Sequence, residues 1–218
     1  MLNFKPNEVR VLGCLIEKQL ATPDYYPMTE NALVLAANQK SSRDPVLSLS
    51  TDEVGEALGE LSRKEFVEQT KVSGSRAFKF QQRLDLRWQI SDLEASSDRD
   101  VLAILAVLAL RGPQTIGQIR QRTERMFFFP DLDHIQNLLT ELKEETEERP
   151  ALVVEDHSVP GRDIRYTHLF CEHSVSAATI RESESLSAEQ KQSLEERVTE
   201  LEKQVSELQK LLLDELDE

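Results

Sequence analysis

Only two cysteines occur in this 218-residue chain, one in each half, which excludes a disulfide-knit scaffold. Cys14 falls within an apolar helical stripe, the place of a small core residue. Long hydrophobic runs are also missing. The longest, residues 101–110, is far short of the roughly twenty residues that a membrane span requires. No apolar segment follows Lys5 to make a signal peptide, so a cytoplasmic protein with no membrane partner is expected. There is no G-x-S-x-G, no P-loop, no GxGxxG and no HExxH, which removes the common catalytic signatures. His168, Cys171 and His173 cluster in sequence, but H-x-x-C-x-H matches no common zinc spacing and a fourth ligand is not apparent. The expectation is therefore a non-enzyme with no metal and no other cofactor.

An excess of positive charge is lacking too. The net charge is −14, which argues against generic affinity for nucleic acid. Its distribution is uneven. Residues 1–83 carry 11 acidic and 11 basic side chains, residues 84–185 carry 19 and 11, and residues 186–218 carry 10 and 4. A contact with a phosphate backbone is accordingly expected in the first segment.

What the chain does have is a repeat. Residues 4–83 and 97–170 each run long apolar helix, short helix, amphipathic helix and then a hairpin with glycine at its tip. In the first copy, Val9, Leu12, Ile16 and Leu20 form the stripe of a helix over about 6–20. Thr29 caps a second helix that turns Leu33, Ala36 and Ala37 inward. Ser50 and Glu53 form a capping box opening the third, with Val54, Ala57, Leu58 and Leu61 buried. In the second copy, Ser96 or Ser97 caps a nearly wholly apolar helix stopped by Gly112 and Pro113. A short helix over 115–122 and a third over 131–145 follow. Residues 152–154 and 164–166 are the expected strands.

The expected fold class is mainly α with small β-hairpins (α+β): two tandem winged-helix domains plus a C-terminal coiled-coil helix. The expected boundaries are a first winged helix at 1–83, a linker at 84–96 with the lone Trp88, and a second winged helix at 97–173. A linker at 174–185 and a helix at 186–218 complete the chain. In that helix Leu194, Val198, Leu201, Val205, Leu208 and Leu212 alternate in steps of four and three, the seam of a two-stranded coil, so a homodimer is expected. The other reading of the same spacing is a solvated terminal helix, since about three and a half heptads are marginal alone.

Several segments resemble the bacterial YceH family: residues 10–18, 22–46, 74–76, 110–115, 119–123, 160–162 and 165–166. The most specific is the block formed by Asn38, Gln39, Lys40, Ser41, Arg43, Asp44 and Pro45. The resemblance implies tandem winged helices and, by fold analogy, DNA binding and regulation. It supplies no catalytic residues.

In such folds the third helix usually enters the major groove and the hairpin touches adjacent backbone. Here the third helix shows Asp52, Glu53, Glu56, Gly59 and Glu60 outward, with only Arg63 and Lys64 to help. The second copy shows Asp133, Gln136, Asn137, Thr140, Glu141 and Glu144, which is no better. The candidate contacts are instead Lys40, Ser41, Ser42 and Arg43 in the loop and Lys71, Ser75, Arg76 and Lys79 in the first wing. For Asn38, Arg43 and Asp44 the alternative is structural: they tie the long loop to the body, with Arg43 pairing Asp44 or Glu17. Two functions follow, a DNA-binding regulator and a protein-interaction scaffold whose acidic helix faces take a basic protein partner.

Overall fold

The computed structural model describes residues 3–71, 77–84, 98–146, 149–156 and 163–171. The elements in chain order are α1 (Pro6–Ala21), β1 (Met28–Thr29), α2 (Glu30–Ala37), α3 (Thr51–Arg63), β2 (Val67–Lys71) and β3 (Phe78–Gln82). They continue with α4 (Asp98–Arg111), α5 (Ile116–Thr123), α6 (Leu132–Lys143), β4 (Val153–Asp156) and β5 (Arg165–His168). The class is α+β, with six α-helices and two small antiparallel sheets among the described residues. None of these helices is long and apolar enough to cross a membrane. The seam from Leu194 to Leu212, Trp88, Ser75, Arg76 and His173 all lie outside the described residues.

Local signals set the helix starts. The Thr29 hydroxyl accepts from Ala32 N at 3.3 Å, satisfying one of the amides a helix leaves open at its N-terminus. Ser50 and Glu53 close a full capping box, with Glu53 N donating to Ser50 Oγ at 3.2 Å and Ser50 N to Glu53 Oε2 at 2.8 Å. Thr115 and Gln118 do the same at α5. The third helix of the second half starts one residue late, because Asp131 is its cap and accepts from His134 N at 2.8 Å. It ends at Lys143, since Glu144 is already extended at ψ 137°. Gly112 takes the left-handed conformation at φ 70° after α4, which a side chain would disfavour.

The repeat is deeper than a helix-and-hairpin count suggests. In the first half β1 adds a third strand to the hairpin, pairing Met28 with Phe80 and Thr29 with Lys79. In the second half Gln114 makes the matching bridge to Tyr166, the two residues exchanging both backbone bonds at 3.0 and 2.8 Å. In each half the residues just before the second helix clip the last strand to the body.

The two halves are joined by one continuous core within a unit spanning Met1–Val175. Helix α1 packs against α2, α3 and α4. Gly13 permits the close approach of α1 to α4: a Cβ there would lie 3.1 Å from both Ala109 Cβ and the Leu110 side chain. Phe4 closes the far end, edge-on to Phe66 at 4.9 Å between ring centroids and 6.1 Å from Phe170. Its amide donates to Phe170 O at 2.9 Å.

Candidate nucleic-acid interface

The loop between α2 and α3 is held by three polar side chains. Arg43 is the centre. Its side chain is fully buried, and its guanidinium grips both Glu17 carboxylate oxygens, at 3.1 Å from Nη1 and 2.7 Å from Nη2. The same group donates to Ala36 O, Ser42 O and Gln39 Oε1. Nη2 also lies 3.6 Å from Cys14 Sγ. Arg43 thus joins α1, the end of α2 and its own loop, using the planar fork that lysine lacks. Burial works against its charge, but the hydrogen bonds it donates to Glu17 and Cys14, together with their charges, outweigh that and hold its pKa above the ordinary value. For Glu17 burial pushes the pKa up, and the Arg43 bonds and charge carry it below the usual carboxylate range. Cys14 beneath them is pushed up to about 11 by burial, so it stays a neutral thiol.

Asn38 is the second tie. Its side-chain amide donates to Leu49 O at 2.8 Å and accepts from Leu49 N at 2.7 Å, closing the loop as a strand pair would. Arg10 is the third, donating to Pro45 O at 2.6 Å. Asp44 does not pair with Arg43. Its amide instead donates to Leu110 O at 2.9 Å, anchoring the loop to α4 of the second half. Replacing Asn38 by alanine should cost about 1–3 kcal/mol of stability, because both Leu49 backbone groups lose their partner. Urea unfolding reads this directly, and an unchanged midpoint would show that the loop is closed by something else.

The structure therefore divides the candidate contacts. Arg43 faces inward with its donors occupied, so its fork is not open to a phosphate. Lys40, Ser41 and Ser42 are exposed. Lys71 is exposed, and its ammonium stands 5.8 Å from the centre of the Phe78 ring. Lys79 is half-buried on the next strand. Lys79 pairs with Thr29, the N-cap of α2, while Lys40 follows the C-terminus of that eight-residue helix. The helix separates them by about 12 Å.

The acidic outer face of α3 is more closed to phosphate than its sequence suggests. Asp52, Glu53 and Glu56 are exposed. Hydrogen bonds from the Ser50 backbone and hydroxyl lower the Glu53 pKa, keeping it ionised. Of the two cations that were to help, Arg63 pairs with Glu60 at 2.6 Å. Lys64 is taken by buried Glu8 at 2.6 Å and lies over the Phe4 ring.

Four basic residues escape a reading by segments. Lys18, Arg111, Arg122 and Arg125 line a cavity of about 540 Å³ together with Lys40, Ser41 and Ser42. The signal was present in Arg120, Arg122 and Arg125, a basic run inside an acidic half, but a net count over 84–185 averages it away. His168 and Cys171 are buried, and no group of His, Cys, Asp and Glu with metal-holding geometry occurs among the described residues. His168 Nδ1 accepts from Phe170 N at 3.3 Å, which requires the unprotonated nitrogen.

Comparison with known proteins places the chain in a family. Residues 4–162 match the family described as "Protein of unknown function, DUF480". A UPF0502 protein of Shewanella sp. (strain MR-7) is 39% identical over 202 residues, 89% of each chain. One from Aliivibrio fischeri (strain MJ11) is 39% identical over 219 residues, 99% of each chain. One from Geobacter sulfurreducens is 49% identical over 163 residues, covering 74% of this chain and 69% of the relative. The chain belongs to the DUF480 (UPF0502) family of bacterial proteins.

Proposed function

We propose that this is a YceH-type tandem winged-helix protein of the cytoplasm that binds DNA through its first hairpin and acts in regulation rather than catalysis. The observation that supports it is the arrangement on that hairpin. Phe78 is half exposed with Lys71 directly opposite it in the ladder, so the two share one face. Lys79, the next residue, points to the other face. Cations on both faces let the hairpin meet phosphates on either side of a groove, and the major groove, about 12 Å wide, admits a two-stranded ribbon. An exposed aromatic beside them offers a surface for sugar or base. The carboxylates of α3 keep that helix out of the groove, so contact is with backbone and little sequence is read. Two copies pair through the 186–218 helix, a reading that rests on its heptad spacing alone.

Fluorescence anisotropy with a random-sequence duplex tests this. Affinity should fall steeply with salt, and replacing Lys71 and Lys79 by alanine should lower the log–log salt slope by about 2. A salt-insensitive or absent signal removes the DNA reading. The exposed carboxylates of α3 then favour the second one, a scaffold for a basic protein, and a pull-down that recovers a defined basic partner would support it.

A further inference from the structure

The cavity between the halves carries more than a share of a surface. Its walls are the end of α1, the loop 39–42, the end of α4 and the residues closing α5. At about 540 Å³ it lies within the range of small-molecule sites. Five cations reach it, Lys18, Lys40, Arg111, Arg122 and Arg125, against one carboxylate, Glu17. Glu17 is held by Arg43 on both oxygens and also pairs with Lys18, so it answers one of the five directly. In a chain of net charge −14 this is a strong local inversion of sign.

Three of the five cations are unused. Lys40, Arg111 and Arg125 have no acceptor for their side chains among the described residues, whereas Lys18 has Glu17 and Arg122 has Gln114. Arg111 is half-buried, and burial, with repulsion from Arg122 and Arg43, lowers its pKa against the weaker attraction of Glu17 and Asp44. Like charges gathered in a partly desolvated cleft repel one another unless an anion joins them. The hydroxyls of Ser41 and Ser42 stand at the same mouth, and Ser42 holds the left-handed conformation at φ 60°, a strained position for a residue with a side chain. The floor is apolar, formed by Val107, Leu110 and Met126.

We infer that this cleft binds a small, multiply phosphorylated anion of nucleotide size, its phosphates on Arg111, Arg125 and Lys40 and its remaining body over the apolar floor. The site is assembled from both halves and does not use the hairpin. It stands independently of the DNA reading. Because Lys40 and Arg111 come from different halves, an occupant would tie the two together and stabilise the unit by mass action.

Isothermal titration of the full chain with ATP, pyrophosphate and inorganic phosphate at low salt tests this, with thermal unfolding in parallel. ATP should bind saturably, more tightly than inorganic phosphate, and should raise the melting temperature. Arg111→Gln with Arg125→Gln should weaken ATP by about tenfold or more, since each removes a charge-assisted bond. Lys40→Glu, at an exposed position with no partner to lose, should do the same without altering the fold. Absence of binding by both ATP and pyrophosphate overturns the inference. So does equal affinity for ATP and inorganic phosphate, or an ATP affinity unchanged in these variants. If the same variants abolish duplex binding while the wild-type chain takes up no small anion, the cleft is a nucleic-acid contact and the inference fails. Loss of ATP binding with duplex affinity intact supports it.

Discussion

Replacing Arg43 by alanine is expected to lower the stability of the Met1–Val175 unit by about 3–5 kcal/mol, the cost of removing one member of a buried ion pair. Typical domains have only about 5–15 kcal/mol in hand, so the variant should lose a large part of its margin. The reason is the number of groups left behind. Glu17 keeps a charge with 15% of its side chain exposed, and Ala36 O loses both of its Arg43 bonds. Gln39 and the Ser42 carbonyl lose theirs as well. The loop ties through Asn38 and Arg10 remain, so the failure should begin at the α1 side of the loop. A double-mutant cycle separates the pair from its surroundings. Replacing Arg43 and Glu17 together by apolar residues of similar size should cost less than Arg43→Ala alone, because no uncompensated charge remains. Urea unfolding of the four proteins measures it. Additive losses would show that the two side chains do not act as a unit.

The second large effect is on pH. Burial pulls His168 down to about 4, and its Nδ1 accepts from Phe170 N, so the native state holds it neutral. The unfolded chain takes up a proton near the ordinary histidine value of about 6.5. Between these values the unfolded state binds more protons, so stability must fall as the pH falls. The loss should begin below about pH 6.5 and reach about 3 kcal/mol near pH 4. Glu17, with its pKa lowered, contributes in a separate window, present above the ordinary carboxylate value and lost below it. Unfolding midpoints from pH 7 to pH 4 for the wild type and His168→Phe check this. The variant should show a flatter profile between pH 6.5 and pH 5. Identical slopes would mean that His168 takes up its proton in the native state as it does in the unfolded chain.

Elements whose signals are local were legible from residues alone. Thr29 and Ser50 cap their helices through bonds three residues long, and the stripes of α3 and α6 face inward as their spacing dictates. What depends on distant partners was not. β1 is two residues after a proline, with no strand pattern of its own, and exists because β3 offers a free edge. The alternative of a pairing between Arg43 and Glu17 could be named from residue type, but choosing it over a phosphate contact needs the crossing of α1 and the loop, 26 residues apart. The cleft was hidden for a related reason. Lys18 and Lys40 lie in a segment of zero net charge, and Arg111, Arg122 and Arg125 in an acidic one, so neither tally shows what packing α1 on α4 brings together.

That the block 38–45 is a structural clamp presenting a basic loop, rather than itself a grip on DNA, is tested most directly by Arg43→Lys. Lysine keeps the charge a phosphate would need but cannot reach Glu17, Ala36 and Gln39 at once. Urea unfolding and duplex affinity should be measured on the same preparation. The expected result is a loss of about 2 kcal/mol or more in stability with unchanged affinity of the folded protein for DNA. Full stability with weakened DNA binding would contradict it.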